Sequence, residues 1–123
     1  MRPGKIDARA VEVSREQLLS VSGPAGGFSW LTLYDVGDPG PHGMYFRCPC
    51  GCGGVHSAMF DTMPAAWREE HWKGRAVWHW DGNVERPTLT PSLGLKVQAP
   101  GESLGADGYH WHGFLRAGVF EQC

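Results

Sequence analysis

The sequence predicts a mainly β fold, an antiparallel β domain with one or two short helices, small α+β at most. Glycine and proline are frequent, with 18 and 9 copies, which favours many turns and short strands over long helices. Several short segments alternate apolar and polar residues, as strands with one buried face do. The chain has 123 residues, of which 41% are hydrophobic. We therefore expect residues 1–123 to form a single domain around one modest core.

The N-terminal third contains two alternating segments with a short helix between them. "ARAVEV" is an alternating stretch and a predicted strand. "FSWLTLYDV" alternates at Phe28 and Trp30 and less cleanly at Leu31, Leu33 and Tyr34, and is also a predicted strand. In "SREQLLSV" between them, Ser14 and Gln17 have the spacing of a capping box, which predicts the start of a short helix. Glycine- and proline-rich loops separate these elements.

In the middle of the chain, two short predicted strands flank a tight turn, which we call the cysteine knuckle (residues 48–54). The strands are "MYFR" and "VHSAMF". A short surface helix is expected next, in "TMPAAWREEHWKG". Pro64 suits its first turn and Gly74 suits its C-terminal cap.

The C-terminal third is expected to be strands and turns. In "AVWHWDGN", alternation places Trp78 and Trp80 on one strand face and His79 on the other. "YHWHGFL" and "VFEQC" predict a closing hairpin around the turn at residues 116–118. Over the whole chain, the expected strands lie near residues 28–36, 44–48, 55–60, 76–80, 93–98, 109–115 and 119–122.

Charge and hydropathy exclude several classes of partner. The formal net charge is −2 with a pI of about 6.3, and no run of basic residues predicts nucleic-acid binding. No segment approaches the roughly 20 apolar residues that cross a bilayer, so we expect no membrane contact. The charged N-terminus does not resemble a signal peptide, so we expect a cytoplasmic protein with reduced thiols. The oligomeric state stays open.

Three of the four cysteines, Cys48, Cys50 and Cys52, occupy alternate positions in the cysteine knuckle. Thiols this close in sequence could form a disulfide only through a very small ring. Cys48 and Cys52 have the spacing of a zinc half-site in a glycine-containing turn, and Cys50 could replace either one. The knuckle therefore predicts a zinc-stabilised domain.

The remaining ligands should come from the six histidines. His110 and His112 are two residues apart on a predicted strand, so both imidazoles could converge on one ion while Tyr109 and Trp111 pack on the opposite face. His56 follows the knuckle closely and is the next candidate. The expected metal ligands are therefore drawn from Cys48, Cys50, Cys52, His56, His110 and His112, with Cys52 and His112 the surest.

The other candidate ligands rank lower. We expect His42 and His71 to be solvated, in a loop and on a helix surface, and His79 to cover a sheet face between tryptophans. Cys123 could join the metal site if the last strand runs beside the knuckle, although chain ends usually fray.

No established catalytic motif is present. The sequence has no GxSxG nucleophile elbow, no HExxH helix and no phosphate-binding P-loop. Nothing fixes an acidic residue as a general base. The sequence therefore predicts no catalytic residue.

Three segments, "FRCPCGCGGVH", "WHWDGNVERPTLTPSL" and "YHWHGFLRAGVFEQC", resemble a small family of phage and bacterial proteins. Some members carry the label ammonia monooxygenase, and bacterial relatives occur beside ubiquitin-like conjugation genes. The resemblance covers about residues 44–123. It implies a zinc-binding, strand-rich domain and little about activity.

The resemblance also assigns individual positions. The family's knuckle corresponds to the three clustered cysteines and its closing histidine to His112. Relatives often have a cysteine where this chain has Tyr109, so His110 or His56 would be the fourth ligand. Pro87, Thr88, Pro91 and Ser92 match the family's "PTl.PS" stretch. The prolines predict a rigid extended segment, and the alternative is a substrate-binding role for Thr88 or Ser92.

Three functions compete at this point. The first and favoured one is a structural zinc domain that binds another protein, which for a phage-encoded member would be a host protein or defence system in the host cytoplasm. The second is a zinc-dependent hydrolase with an open metal position. The third is a thiol redox protein, which would need an exposed cysteine with a lowered pKa.

Overall fold

The computed structural model describes residues 7–20, 23–34, 36–95 and 110–123, and in them the chain is mainly β, as predicted. None of the helices in these residues is long and apolar enough to span a membrane. The elements are β1 (Ala8–Arg9), β2 (Val11–Glu12), α1 (Arg15–Leu19), β3 (Gly27–Leu31), β4 (Gly43–Arg47), β5 (Val55–Met59), α2 (Ala65–His71), β6 (His79–Trp80), β7 (Leu89–Leu95), β8 (Trp111–Arg116) and β9 (Val119–Gln122).

The strands form two sheets that share one hydrophobic core. One sheet has the order β1-β9-β8-β7-β6 and the other has the order β2-β3-β4-β5. Neighbouring strands are antiparallel except β2 and β3, which are parallel. Between the sheets, the Phe46 ring stacks on Phe120 at 5.3 Å, and Trp111 meets Phe120 edge-on. Burial of these rings, with the other core residues of both sheets, stabilises the face-to-face packing.

The predicted N-terminal strand is divided into two short strands that belong to different sheets. β1 pairs with β9, whereas β2 pairs with β3. Ala10 lies between them, and its N–H donates to the carbonyl of Gly118. This short segment therefore ties the edges of both sheets together.

Both helices lie close to where the sequence predicts them. Ser14 caps α1, since its Oγ accepts the Gln17 N–H at 3.1 Å. The buried guanidinium of Arg47 donates to the Leu18 and Ser20 carbonyls, which fixes the end of this helix against β4. α2 begins directly after Pro64.

The strand expected at residues 28–36 ends at Leu31, because His42 forms hydrogen bonds with the backbone at and just after this residue. His42 Nδ1 accepts the Leu33 N–H at 3.0 Å, and the His42 N–H donates to the Leu31 carbonyl. His42 is fully buried, so the expectation that it is solvated was wrong. The expectation was right for His71, whose side chain is half exposed.

β7 contains an irregularity that matters for the site. Leu89 pairs with Leu115 and Leu93 pairs with Gly113, so β7 has two more residues than β8 over this interval. Pro91 lies in this bulge and has no N–H to donate to a neighbouring strand. β7 begins earlier than the expected residue 93. The expected residues 96–98 lie outside the described part of the chain, as does Tyr109.

Candidate metal centre and serine–histidine pair

The structure brings Cys48, Cys50, Cys52 and His110 together, with their ligand atoms all within 4.8 Å of one another. The first three lie in the cysteine knuckle between β4 and β5. The Cys48 N–H donates to the Gly54 carbonyl at 2.7 Å, which closes the turn. Within it, Gly51 and Gly53 have φ of +85° and +89°, a conformation that favours glycine. The alternating glycines thus allow three thiols to point the same way.

The spacing of the four ligand atoms fits a tetrahedral metal ion. Cys48 Sγ lies 3.2 Å from Cys50 Sγ, which lies 3.0 Å from His110 Nε2. Sulfurs bound to one zinc at about 2.3 Å would lie about 3.8 Å apart, a small expansion of this arrangement. Three cysteines and one histidine are also a donor set typical of structural zinc sites. The cluster could therefore hold a metal ion.

Burial shapes the electrostatics of this cluster. It raises the pKa of the Cys48 and Cys50 thiols, because a thiolate is poorly solvated there. A divalent cation reverses this preference by stabilising the thiolate form. The buried thiols are therefore better suited to a metal than to reactions of a free thiolate.

His56 lies beside the cluster but is not one of the four closest ligand groups. A Cβ atom built on Gly54 would be 3.4 Å from both His56 Nε2 and Cys52 Sγ, which places this imidazole next to the knuckle. His56 Nε2 is buried and has no hydrogen-bond partner among the described residues. Burial, and then the neighbouring His110, lower the pKa of His56. The imidazole is therefore favoured in its neutral form.

His112 faces a serine. Its Nε2 lies 3.0 Å from Ser92 Oγ. Trp111, Gly113 and Leu115 are buried, so alternation along β8 puts His112 on the outer face of the sheet. His110 precedes β8, so the alternation of faces along the strand does not apply to it. The imidazole of His110 therefore lies in the cysteine cluster, whereas that of His112 lies beside Ser92.

Ser92 lies at the end of the bulge in β7. Gly94 is the cross-strand partner of His112, and Ser92 lies two residues before Gly94 on the same face. The indole N–H of Trp78 donates to the Ser92 carbonyl at 3.2 Å and holds the backbone there. Both Ser92 and His112 are partly exposed among the described residues.

A serine hydroxyl within hydrogen-bond distance of an imidazole is the core of many nucleophilic sites. Sequence reasoning missed this pair because it matches no local motif. Ser92 was noted only as part of a family stretch, with substrate binding as the alternative role. The proline on its N-terminal side and the repeated histidines in "YHWH" were the only local signals.

Other candidate ligands lie elsewhere. Cys123 is exposed and is not part of the cluster, although its N–H donates to the His112 carbonyl. His79 is exposed on the outer sheet face, as expected, and its Nδ1 lies 2.8 Å from an Asp61 carboxylate oxygen.

Comparison with known families identifies the chain. Residues 28–123 match the family described as bacterial ubiquitination-like system serine protease (BubE), and the chain belongs to this family. This agrees with the ubiquitin-like conjugation neighbourhood that the resemblance implied. No curated protein and no solved structure matches the chain.

Proposed function

We propose that this protein is a serine hydrolase that cleaves an amide bond formed by the carboxyl end of a ubiquitin-like protein. Ser92 is the nucleophile and His112 the general base. The observation that carries the proposal is the 3.0 Å separation of Ser92 Oγ and His112 Nε2. The family description, which names a serine protease of a bacterial ubiquitination-like system, supports the reaction class.

The reaction follows from the chemistry of the pair. His112 Nε2 accepts the hydroxyl proton as Ser92 Oγ attacks the scissile carbonyl carbon. The protonated imidazole then gives this proton to the leaving nitrogen, the C–N bond breaks, and an ester to Ser92 remains. Water attacks the ester with His112 again accepting a proton. Return of that proton to Ser92 Oγ releases the carboxylic acid and restores the enzyme.

The fold restrains the position of Ser92 in the absence of substrate. Without the two extra residues in β7, the positions before Leu93 would continue the regular ladder with β8. Ser92 lies at the end of this bulge, and bulges are frequent beside active sites. The hydrogen bond from Trp78 restrains the same residue through its carbonyl.

In this proposal, zinc is held by the Cys48, Cys50 and Cys52 thiolates and by His110, and it supplies a structural cross-link. Four protein ligands fill a tetrahedral site, which supports a structural role over the alternative of a zinc hydrolase. The cluster joins the knuckle to the residue that precedes β8. It thereby anchors the strand that carries His112.

In this proposal, the protein partner expected from the sequence is the substrate that the enzyme recognises. This partner is a ubiquitin-like protein of the same system, as the family description supports. The thiol redox alternative is disfavoured, because burial raises the pKa of Cys48 and Cys50.

Labelling with a fluorophosphonate tests the nucleophile directly, since this reagent modifies activated serine hydroxyls. We expect stoichiometric labelling of the wild type at Ser92 and none of Ser92→Ala. Thr90→Ala, which removes an exposed hydroxyl from the same strand, is the matched control and should label normally. Equal labelling of Ser92→Ala and wild type would refute the proposed nucleophile.

A further inference from the structure

Among the described residues, the edge of β7 that faces away from β8 has no strand partner after Thr90, although the Trp78 indole N–H donates to the Ser92 carbonyl. On the side away from β8, β6 pairs with β7 only at Leu89 and Thr90. The chain leaves the sheet immediately before β6, because the Trp78 N–H donates to Met59 and its carbonyl accepts from Asp61. Among the described residues, no strand therefore pairs with this side of β7 from Ser92 to Leu95.

The backbone of Gly94 is directed toward this open edge. In an antiparallel sheet, the N–H and C=O of one residue point to the same side, and successive residues alternate. The His112 carbonyl accepts from Cys123, so the polar backbone groups of His112 face the β9 side. Gly94, its partner on β7, therefore forms a non-hydrogen-bonded pair with it. Its own N–H and C=O then point away from β8.

We propose that the segment Ser92–Leu95 of β7 binds an extended stretch of the substrate as an additional β-strand. This inference rests on the proposed function. The occupant is the C-terminal segment of a ubiquitin-like protein, held by hydrogen bonds to the N–H and C=O of Gly94. Strand addition of this kind places main-chain atoms beside a sheet edge at about the spacing of neighbouring strands, near 4.8 Å. The scissile carbonyl is then brought beside Ser92.

Three features of the edge favour an extended chain over a folded surface or a small molecule. Gly94 is exposed and has no side chain to obstruct an approaching backbone. β6 pairs with Leu89 and Thr90, and Pro91 has no N–H to donate, so a substrate strand could pair with β7 only after Pro91. Exposed strand edges are usually blocked by charged or proline residues, and Ser92–Leu95 contains neither. In the described part of the chain, the edge is therefore open at Gly94, two residues after Ser92, whose own carbonyl accepts from the Trp78 indole.

Substitution of Gly94 tests this edge with a matched pair of variants. Gly94→Pro removes the N–H donor, whereas Gly94→Ala retains it, and Gly94 is not among the glycines with positive φ. Both are made in the Ser92→Ala protein, so that binding is measured without cleavage. The probe is a fluorescein-labelled peptide with the C-terminal sequence of the ubiquitin-like protein of the same system, followed by fluorescence anisotropy.

We expect Gly94→Pro to raise the Kd about tenfold or more and Gly94→Ala to change it less than about threefold. Equal affinities of the two variants, or no binding of the peptide to the Ser92→Ala parent, would overturn the edge proposal. Melting temperature and metal content show whether the proline variant is folded. Fluorophosphonate labelling of the wild type, Ser92→Ala and Thr90→Ala tests the nucleophile without the peptide, which separates failure of the edge from failure of the proposed nucleophile.

Peptides with single N-methylated amides provide a second test that leaves the protein unchanged. Only one peptide of the series lacks the N–H that would donate to the Gly94 carbonyl. We expect one methylation site to weaken binding to the Ser92→Ala protein at least about tenfold while its neighbours have smaller effects. Uniform affinity across the series would also overturn the proposal.

Discussion

Cys50 Sγ lies 3.0 Å from Nε2 of His110, although 60 residues separate them in the chain. The contact joins the knuckle of one sheet to the residue that leads into β8 of the other. Two residues further along, His112 turns to the outer face and meets Ser92. A candidate metal ligand and a proposed catalytic base, His110 and His112, therefore lie two residues apart in different environments.

Metal content should distinguish these two histidines. We expect Cys52→Ser and His110→Ala to lose most of the bound zinc, because each removes one of four ligands. His112→Ala should retain it, since His112 faces Ser92. Elemental analysis by mass spectrometry of the purified variants provides the measurement. Loss of zinc from His112→Ala, or full zinc in His110→Ala, would contradict this ligand assignment.

Removal of the metal should destabilise the protein. Binding free energy at a structural zinc site is part of the folding free energy, so we expect a strong chelator to lower the Tm by at least about 10 °C. Differential scanning fluorimetry with and without the chelator provides the measurement. Cys123→Ser, which alters an exposed thiol outside the cluster, should melt and respond like the wild type. An unchanged Tm after verified metal removal would argue against a structural role.

Ser92 and His112 should act as one catalytic unit. We expect Ser92→Ala and His112→Ala each to lower kcat about 10³-fold or more, with little further loss in the double variant. The assay follows cleavage of a ubiquitin-like protein fused to a C-terminal reporter. Thr90→Ala should retain activity, and all variants should retain their zinc and Tm. Independent, multiplicative effects of the two substitutions would show that the residues do not work together.

Gly113 should tolerate no side chain. A Cβ atom at this position would overlap the Glu121 carbonyl oxygen and lie 2.6 Å from the Trp111 ring. We expect Gly113→Ala to reduce the free energy of unfolding by at least about 2 kcal/mol, because backbone and ring must both shift. Urea unfolding gives this value, with Gly94→Ala on the neighbouring strand as the control. Equal stabilities of the two variants would indicate that β9 moves aside easily.

Local patterns in the sequence were sufficient for most of the secondary structure. Ser14 and Gln17 predicted the cap of α1, and Pro64 predicted the start of α2. β4, β5 and β9 agree with the expected strands within a few residues. These features depend on neighbours in the chain, such as a capping hydroxyl or the period of two in a strand. They failed at residues 32–34, because the buried His42 imidazole accepts the Leu33 N–H in place of a neighbouring strand.

The sequence by itself determined three of the four donors of the candidate metal site, because the spacing of Cys48, Cys50 and Cys52 already places them in one tight turn. Only the tertiary structure decided which histidine joins them and which meets a serine. Alternation relates faces within a strand, but it does not show that β8 begins at Trp111 and leaves His110 outside it. Nor does it reveal the two-residue shift in β7, or that Ser92 lies beside His112 on the neighbouring strand. Both depend on how two sheets pack around one core, which is a property of distant residues in contact.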